Sequence, residues 1–233
     1  MITRFFTLKS MPMISKLPRW VESGAFILAL IAGFINSIGL LGFQHQAISH
    51  LSGTATQFGT GLITASFSSS LHLLLILISF VIGSIISGYY LKGGSLKLGR
   101  RYSGLLYLEA VLLLAAIFYL SDQGGLTGHY FASAACGLQN ALATTYSGAV
   151  VRTTHMTGIF TDIGIMVGAK LRGEAFDKRK LLLFLLIITG FISGGALGAY
   201  FFEVFYFQAL FIPVVICTLL AFSYSMYSMK MNR

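Results

Sequence analysis

Charge is what this sequence has least of. Only 10% of its 233 residues are Asp, Glu, Lys or Arg, against about 25% in a soluble domain, while 56% are hydrophobic and the mean hydropathy is +0.82. No water-soluble fold of this length hides so much apolar surface, which excludes the ordinary soluble enzyme. Acidic residues are the scarcest: 7 Asp and Glu stand against 16 Lys and Arg, a net charge of +9 with His neutral. In a soluble protein that excess would suggest nucleic acid as a partner. In an apolar chain it is first the Lys and Arg bias that orients spans in a bilayer, and no nucleic-acid partner is expected. Cysteine is nearly absent, and Cys136 and Cys217 fall inside apolar runs with neither a disulfide framework nor metal spacing. Catalytic signatures are missing too: there is no GxSxG, HExxH or P-loop. An enzyme is therefore the least supported class, with an intramembrane catalyst using His and Asp the one version left open, and no cofactor is expected. The N-terminus lacks a continuous apolar stretch and a small-residue cleavage site, which argues against a cleaved signal peptide. Residues 1–19 read as a cytoplasmic or interfacial segment, with Phe5, Phe6 and the following Trp20 toward lipid.

What the chain has in quantity is hydrophobic runs. Crossing a hydrocarbon core about 30 Å thick takes about 20 residues, and six stretches serve: 20–43, 71–91, 104–120, 128–147, 181–202 and 209–229. Two shorter segments rich in Gly and Thr, 53–67 and 158–171, would reach only about 20 Å as helices. Basic residues decide what these do. Clusters at Arg4, Lys9, Lys16 and Arg19; Lys92, Lys97, Arg100 and Arg101; Lys170, Arg172, Lys178, Arg179 and Lys180; and Lys230 with Arg233 all read as cytoplasmic. The connections carrying Asp122 and Glu203 read as external. An even number of crossings must separate the first cluster from the second, and two long runs already supply it, so the first short segment makes no net crossing. The same parity between Arg152 and Lys170 makes the second short segment re-entrant from the inner face. Such backbone is tolerated at membrane depth only when buried in protein or lining a wet cavity.

The two short segments repeat each other. HLSGTATQFG from His50 and HMTGIFTDIG from His155 share His, Gly, Thr and Gly at an offset of 105, and GFIN at 33–36 matches GLQN at 137–140. The expected architecture is an all-α membrane protein of six transmembrane helices plus two short re-entrant half-helices, with a first repeat over 20–121 and a second over 128–229. Three net crossings per unit invert the second, the inverted-topology repeat of many transporters, whose sites lie where interrupted helices meet. The alternative is that the small residues only pack helices closely. That is also the reading of Gly190, Gly194, Gly195 and Gly198 in GFISGGALGAY.

The repeated polar residues are the candidate site. Ser52 and Thr157 read as N-caps of the short helices, with Gly53 and Gly158 letting backbone or ligand come close. Two helix N-termini facing one cavity offer partial positive charge and free N–H donors to an anion or an acceptor-rich solute. His50 and His155 could donate to that solute or move protons, or be hydrogen-bonded structural histidines; two His alone make a poor metal site. Arg152, aligned with Ala47, lines the cavity or marks the cytoplasmic surface. Asp162, aligned with Gln57, is a carboxylate in a re-entrant helix and needs pairing or water; it could hold a proton or pair with Arg152 or His155. Glu109 is a proton site, snorkels, or bonds a neighbouring helix. Asn36, Asn140, Thr54 and Gln57 are expected as cavity lining, the two Asn alternatively as bonds between helices.

The run GLQNALATTYSGAVVRTTHMTGIFTDIG, residues 137–164, resembles the signature of the YoaK-like family of uncharacterised bacterial membrane proteins, and the likeness in length, repeat order and hydropathy covers nearly the whole chain. Family members usually carry Asp where this chain has Asn36, and Thr-Gly-Asn where it has Ser52, Gly53 and Thr54. The resemblance implies an integral membrane protein and brings no substrate. The residues themselves point to a secondary transporter of a small anionic or polar solute, proton-coupled, in the cell membrane with both termini cytoplasmic. A passive channel and a lipid-binding or accessory membrane protein are the alternatives. Partners are then a small molecule or ion and the bilayer, with oligomeric state open.

Overall fold

The computed structural model describes residues 20–42, 48–91, 100–121, 126–147 and 151–231. The expectations for residues 1–19 and for Lys92, Lys97, Asp122 and Arg233 lie outside the described residues. Within them every regular element is helical: α1 Trp20–Leu41, α2 Leu51–Thr64, α3 Phe67–Tyr90, α4 Arg100–Ser121, α5 Thr127–Tyr146, α6 Met156–Leu171, α7 Lys178–Phe205 and α8 Phe211–Met231, with a 3-10 turn, Tyr206–Leu210, joining the last two. Four stretches are long and apolar enough to cross a membrane: Trp20–Leu41, Phe67–Tyr90, Arg101–Ser121 and the joined Lys178–Met229. α5 is not among them, because Thr, Ser, His, Gln and Asn dilute its 20 residues.

Apolar side chains face outward as well as inward. Ile78, Val81, Ile82 and Ile85 on α3, Val111, Leu114 and Phe118 on α4, and Val215, Leu219 and Phe222 on α8 are all exposed. Stripes of this kind at helical spacing suit hydrocarbon and not water. The interior is equally apolar, with Ile31, Phe34, Ile35 and Ile38 of α1 meeting Leu106 and Leu113 of α4, Leu138 and Leu142 of α5, and Leu183 and Ile187 of α7 in one cluster. Bilayer-facing and core-facing surfaces together make this a membrane protein. Trp20, expected toward lipid, is exposed and also stands edge-on to Tyr224 of α8, ring centres 6.3 Å apart.

Two helix pairs form the closest seams: α1 lies along α7, and α3 along α5. Lipid supplies no hydrophobic drive between helices, so close backbone approach over small residues does the holding. A Cβ on Gly33 would strike the Phe191 carbonyl and one on Gly194 the Leu30 carbonyl; in the other seam, a Cβ on Gly137 would strike the Phe80 carbonyl and one on Gly83 that of Ala134. These contacts correspond position by position. Gly33 and Gly137 head the two matched motifs, Leu30 and Ala134 each lie three residues earlier, and Phe80–Gly83 has the spacing of Phe191–Gly194. Even the following residues agree, since the Ser84 hydroxyl donates to the Gly137 carbonyl at 3.0 Å and Gly195 faces the Gly33 carbonyl. Gly190 and Gly198 extend the α7 seam against Phe26 and Phe34, the close packing expected of that glycine run.

Local signals set the helix ends that matter for the cavity. Ser66 Oγ accepts the Ser69 N–H at 3.2 Å and starts α3 just after α2. α6 stops at Gly173, φ 87°, where the N–H groups of Gly173 and Glu174 return to the carbonyls of Lys170 and Ala169 at 2.9 and 3.1 Å. Asp177 then opens α7 by accepting from the Arg179 and Lys180 amides at 3.1 and 3.0 Å. Arg179 also donates to Glu22 at 2.9 Å, tying the start of α7 to that of α1.

Candidate functional site

α2 and α6 begin at one cavity. His50 (φ −104°, ψ 80°) and His155 (φ −87°, ψ 56°) are the last non-helical residues before them. Ser52 and Thr157 therefore sit inside the first turn and are not the caps their residue types suggested, because Leu51 and Met156 already have helical backbone. Neither helix start has a side-chain cap. The histidine carbonyls take one amide each, Gly53 N–H to His50 at 3.2 Å and Ile159 N–H to His155 at 3.1 Å. The carbonyls of Ser52 and Thr157 each accept a hydroxyl one turn on, from Thr56 and Thr161, at 2.9 Å. An uncapped N-terminus keeps amide donors available.

The cavity holds about 580 Å³ and is walled by Ser49, His50, Leu51 and Ser52 at the start of α2, by Arg152, Thr154, His155, Met156 and Thr157 at the start of α6, and by Phe80 of α3 with Asn140 and Thr144 of α5. His50 and His155 both line it. The His50 ring stands edge-on to Phe191 at 5.1 Å, with Nδ1 buried and unpartnered. His155 folds its ring over Gly158, where a Cβ would collide with it, while Gly53 opens on empty space. Arg152 is exposed in the cavity wall and has no hydrogen bond or ion pair among the described residues. Among the described residues no Asp or Glu lines the wall.

The two asparagines behave differently. Asn36 is buried behind the wall, its Oδ1 accepting the Ser49 N–H at 3.2 Å; the buried Ser49 hydroxyl has no partner among the described residues. Asn140, its counterpart, lines the cavity with a buried, unpartnered Oδ1. Four other candidates stand outside the wall: Gly53, Gly158, the fully buried Thr54, and Gln57, exposed further along α2. Asp162 is half exposed and pairs with neither Arg152 nor His155; its cation is Lys180, at 3.9 Å. Glu109 is fully buried in α4, which rules out snorkelling. Gln139 of α5 and Cys217 of α8 lie against it, yet neither carboxyl oxygen is well enough aligned to be hydrogen-bonded.

Six wall residues were not anticipated. Ser49 and Thr154 align in the repeat and immediately precede the two histidines, and Thr144 lies one helical turn beyond Asn140, so those signals were present. Leu51 and Met156 are the apolar pair inside the repeated motif, and Phe80 carries no local signal. A second polar cluster also escaped notice: His72 Nδ1 and the Tyr130 hydroxyl are 2.8 Å apart, with the buried His129 ring centred 5.5 Å from that of His72. Among the described residues no group of three or more His, Cys, Asp or Glu could hold a metal ion. No curated protein and no solved structure matches the chain. A family model described as a protein of unknown function (DUF1275) matches residues 24–223. That match runs from Gly24 in α1 to Ser223 in α8 and takes in both cavity-forming helix starts, so the chain belongs to the DUF1275 family.

Proposed function

We propose that this protein is a secondary transporter that moves a small anionic or polar solute across the cell membrane, coupled to protons, with its termini on the cytoplasmic side. The observation that carries this reading is the single cavity walled by the starts of both α2 and α6, each contributing His50 or His155 and a hydroxyl residue. In this reading α1, α3, α4, α5, α7 and α8 span the bilayer, while α2 and α6 are re-entrant half-helices of an inverted repeat, placing the cavity at membrane depth. The matched glycine contacts support it: exchanging the two halves turns the α1–α7 seam into the α5–α3 seam, as a two-fold axis in the membrane plane requires. Of the two acids, Glu109 suits proton coupling better than Asp162, because it is buried with no ion pair among the described residues whereas Asp162 has Lys180. Reconstituted protein should accumulate its solute in vesicles, and His50→Ala and His155→Ala should each cut uptake about tenfold or more. Full flux and affinity in both variants would remove those side chains from the mechanism, and uncoupled flux at channel rates would overturn the transporter reading.

A further inference from the structure

The two short helices are the most loosely held part of the bundle. Among the described residues α2 buries only Thr54 and Gly61, and α6 only Ile159. Each packs chiefly on the helix that follows it, α2 on α3 and α6 on α7. Their glycines differ from those of the two seams: a Cβ on Gly53, Gly59, Gly164 or Gly168 would meet nothing within 4 Å. One ion pair among the described residues ties α6 sideways. Lys180 Nζ of α7 lies 3.9 Å from Asp162 Oδ2 and 5.3 Å from the centre of the Phe184 ring, which sits one turn further along α7 in the buried core. The ammonium is thus anchored on the bundle side, and Asp162 is the partner free to leave. The first half has no equivalent. Gln57 aligns with Asp162, and Ser69 corresponds to Lys180 at the spacing that relates Gly83 to Gly194, so neither place carries a charge.

We propose that α6 is the gate on the cytoplasmic side of the cavity and that the Asp162–Lys180 pair is its latch, with no such latch on α2. This rests on the reading of α6 as a re-entrant helix entering from the inner face. Met156 and Thr157 at the start of α6 form part of the cavity wall, so moving α6 off α7 moves the wall. Segments with few buried contacts are the ones that open locally, and α6 is such a segment. A partly exposed ion pair adds little to a helix held by a broad interface. Here there is no broad interface, and a two-state element near balance shifts its populations several-fold for an interaction of that size. At 3.9 Å the contact is electrostatic and not a close hydrogen bond. Both side chains are partly exposed, so opening gives up attraction without stranding a buried donor or acceptor.

The test reads the position of α6 in the full-length protein in lipid nanodiscs, by pulsed EPR between spin labels on Ile165→Cys of α6 and Val111→Cys of α4. Both positions are exposed, and the native Cys136 and Cys217 are buried. Asp162→Asn and Lys180→Gln should each raise the displaced population of α6 about two- to fivefold, the reach of one partly exposed pair. Access is read in parallel in everted vesicles. Ser52→Cys, exposed in the cavity wall, should react with a charged, membrane-impermeant maleimide about two- to fivefold faster from the cytoplasmic side in both variants. A direct effect of the lost charge on the reagent would move the two variants in opposite directions, whereas opening moves them the same way. Asp162→Lys combined with Lys180→Asp should label more slowly than Asp162→Lys alone. Unchanged melting temperatures would verify that the variants fold. An unmoved α6, labelling that shifts in opposite directions or not at all, or a swapped pair that labels as fast as Asp162→Lys alone overturns the proposal. The reading beneath it fails separately. Glu174→Cys labelled only from outside the cell would overturn the re-entrant topology, and the gate with it, whatever the EPR result; an unmoved α6 with Glu174→Cys labelled from inside would remove the latch and leave that topology standing.

Discussion

Gly194→Ala adds one methyl group at the tightest point of the α1–α7 seam. Its Cβ would lie 2.7 and 2.8 Å from the Leu30 carbonyl carbon and Cα, and closer still to the carbonyl oxygen, where ordinary contact begins at 3.4 Å. The obstacle is backbone, so no rotamer change relieves it. The helices must part, and the neighbouring contacts of Gly190 with Phe26 and of Gly198 with Phe34 loosen with them. Overpacking of this kind costs about 1–3 kcal/mol, of which the helix propensity of Ala returns at most about 1 kcal/mol. A net loss of about 1–2 kcal/mol lowers Tm by about 2–8 °C for a chain of this size. Gly195→Ala is the internal control: its nearest neighbour is the Gly33 carbonyl oxygen at 3.9 Å, so Tm should hold or rise. Cys136 and Cys217 are both buried, so a thiol-reactive fluorophore added during heating reports the opening of the bundle directly. Equal losses at 194 and 195, or no loss at 194, would refute the backbone-contact argument. Gly83→Ala, in the corresponding place of the α3–α5 seam, should behave like Gly194→Ala.

Asn36→Ala should destabilise by about 1–3 kcal/mol, because it strips the acceptor from the buried Ser49 amide, while Asn140→Ala should stay within about 0.5 kcal/mol and weaken solute binding instead; the same thermal assay and a binding titration separate them. Glu109→Gln should keep or raise Tm, since it removes a buried carboxyl that has no cation and no hydrogen bond among the described residues, and should abolish gradient-driven uptake while solute exchange persists; uptake still driven by a proton gradient would take Glu109 out of the coupling. For topology, a cysteine replacing Ser69 should label from outside the cell and one replacing Glu174 from inside, both positions being exposed. Labelling of the 69 position only from the cytoplasm would be incompatible with re-entrant α2.

Much of the cavity is legible in the sequence because duplication wrote it twice. The matched HLSG and HMTG motifs mark both helix starts, and both open on the same space. The cap assignment fails by two residues for a physical reason: Ser and Thr favour caps only when they are the last non-helical residue, and here that place belongs to His50 and His155. Tertiary partners are less visible. The glycine run in α7 signals close packing, but nothing local says that its partner is α1 or that Phe80 reaches the cavity. Asp162 looked toward the cavity cations because Arg152 and His155 lie just ahead of its helix in the sequence, yet α7 brings Lys180 alongside it. Burial of Glu109 is likewise a property of the α4, α5 and α8 meeting point, which hydropathy along one helix does not encode.

The two seams also impose an order on biogenesis. α3 can close on α5 soon after α5 enters the bilayer, whereas α1, the earliest of the described helices, must wait until Phe191 and Gly194 of α7 are made. Through that interval the glycine face of α1 has only lipid or the insertion machinery against it. A nascent chain halted after Ser121 contains neither seam, so the first half lacks its main helix contacts when made alone. Contacts this distant in sequence are slow to form and leave exposed intermediates, which makes the stretch of synthesis between α1 and α7 the period in which this protein is most open to mispairing and quality control.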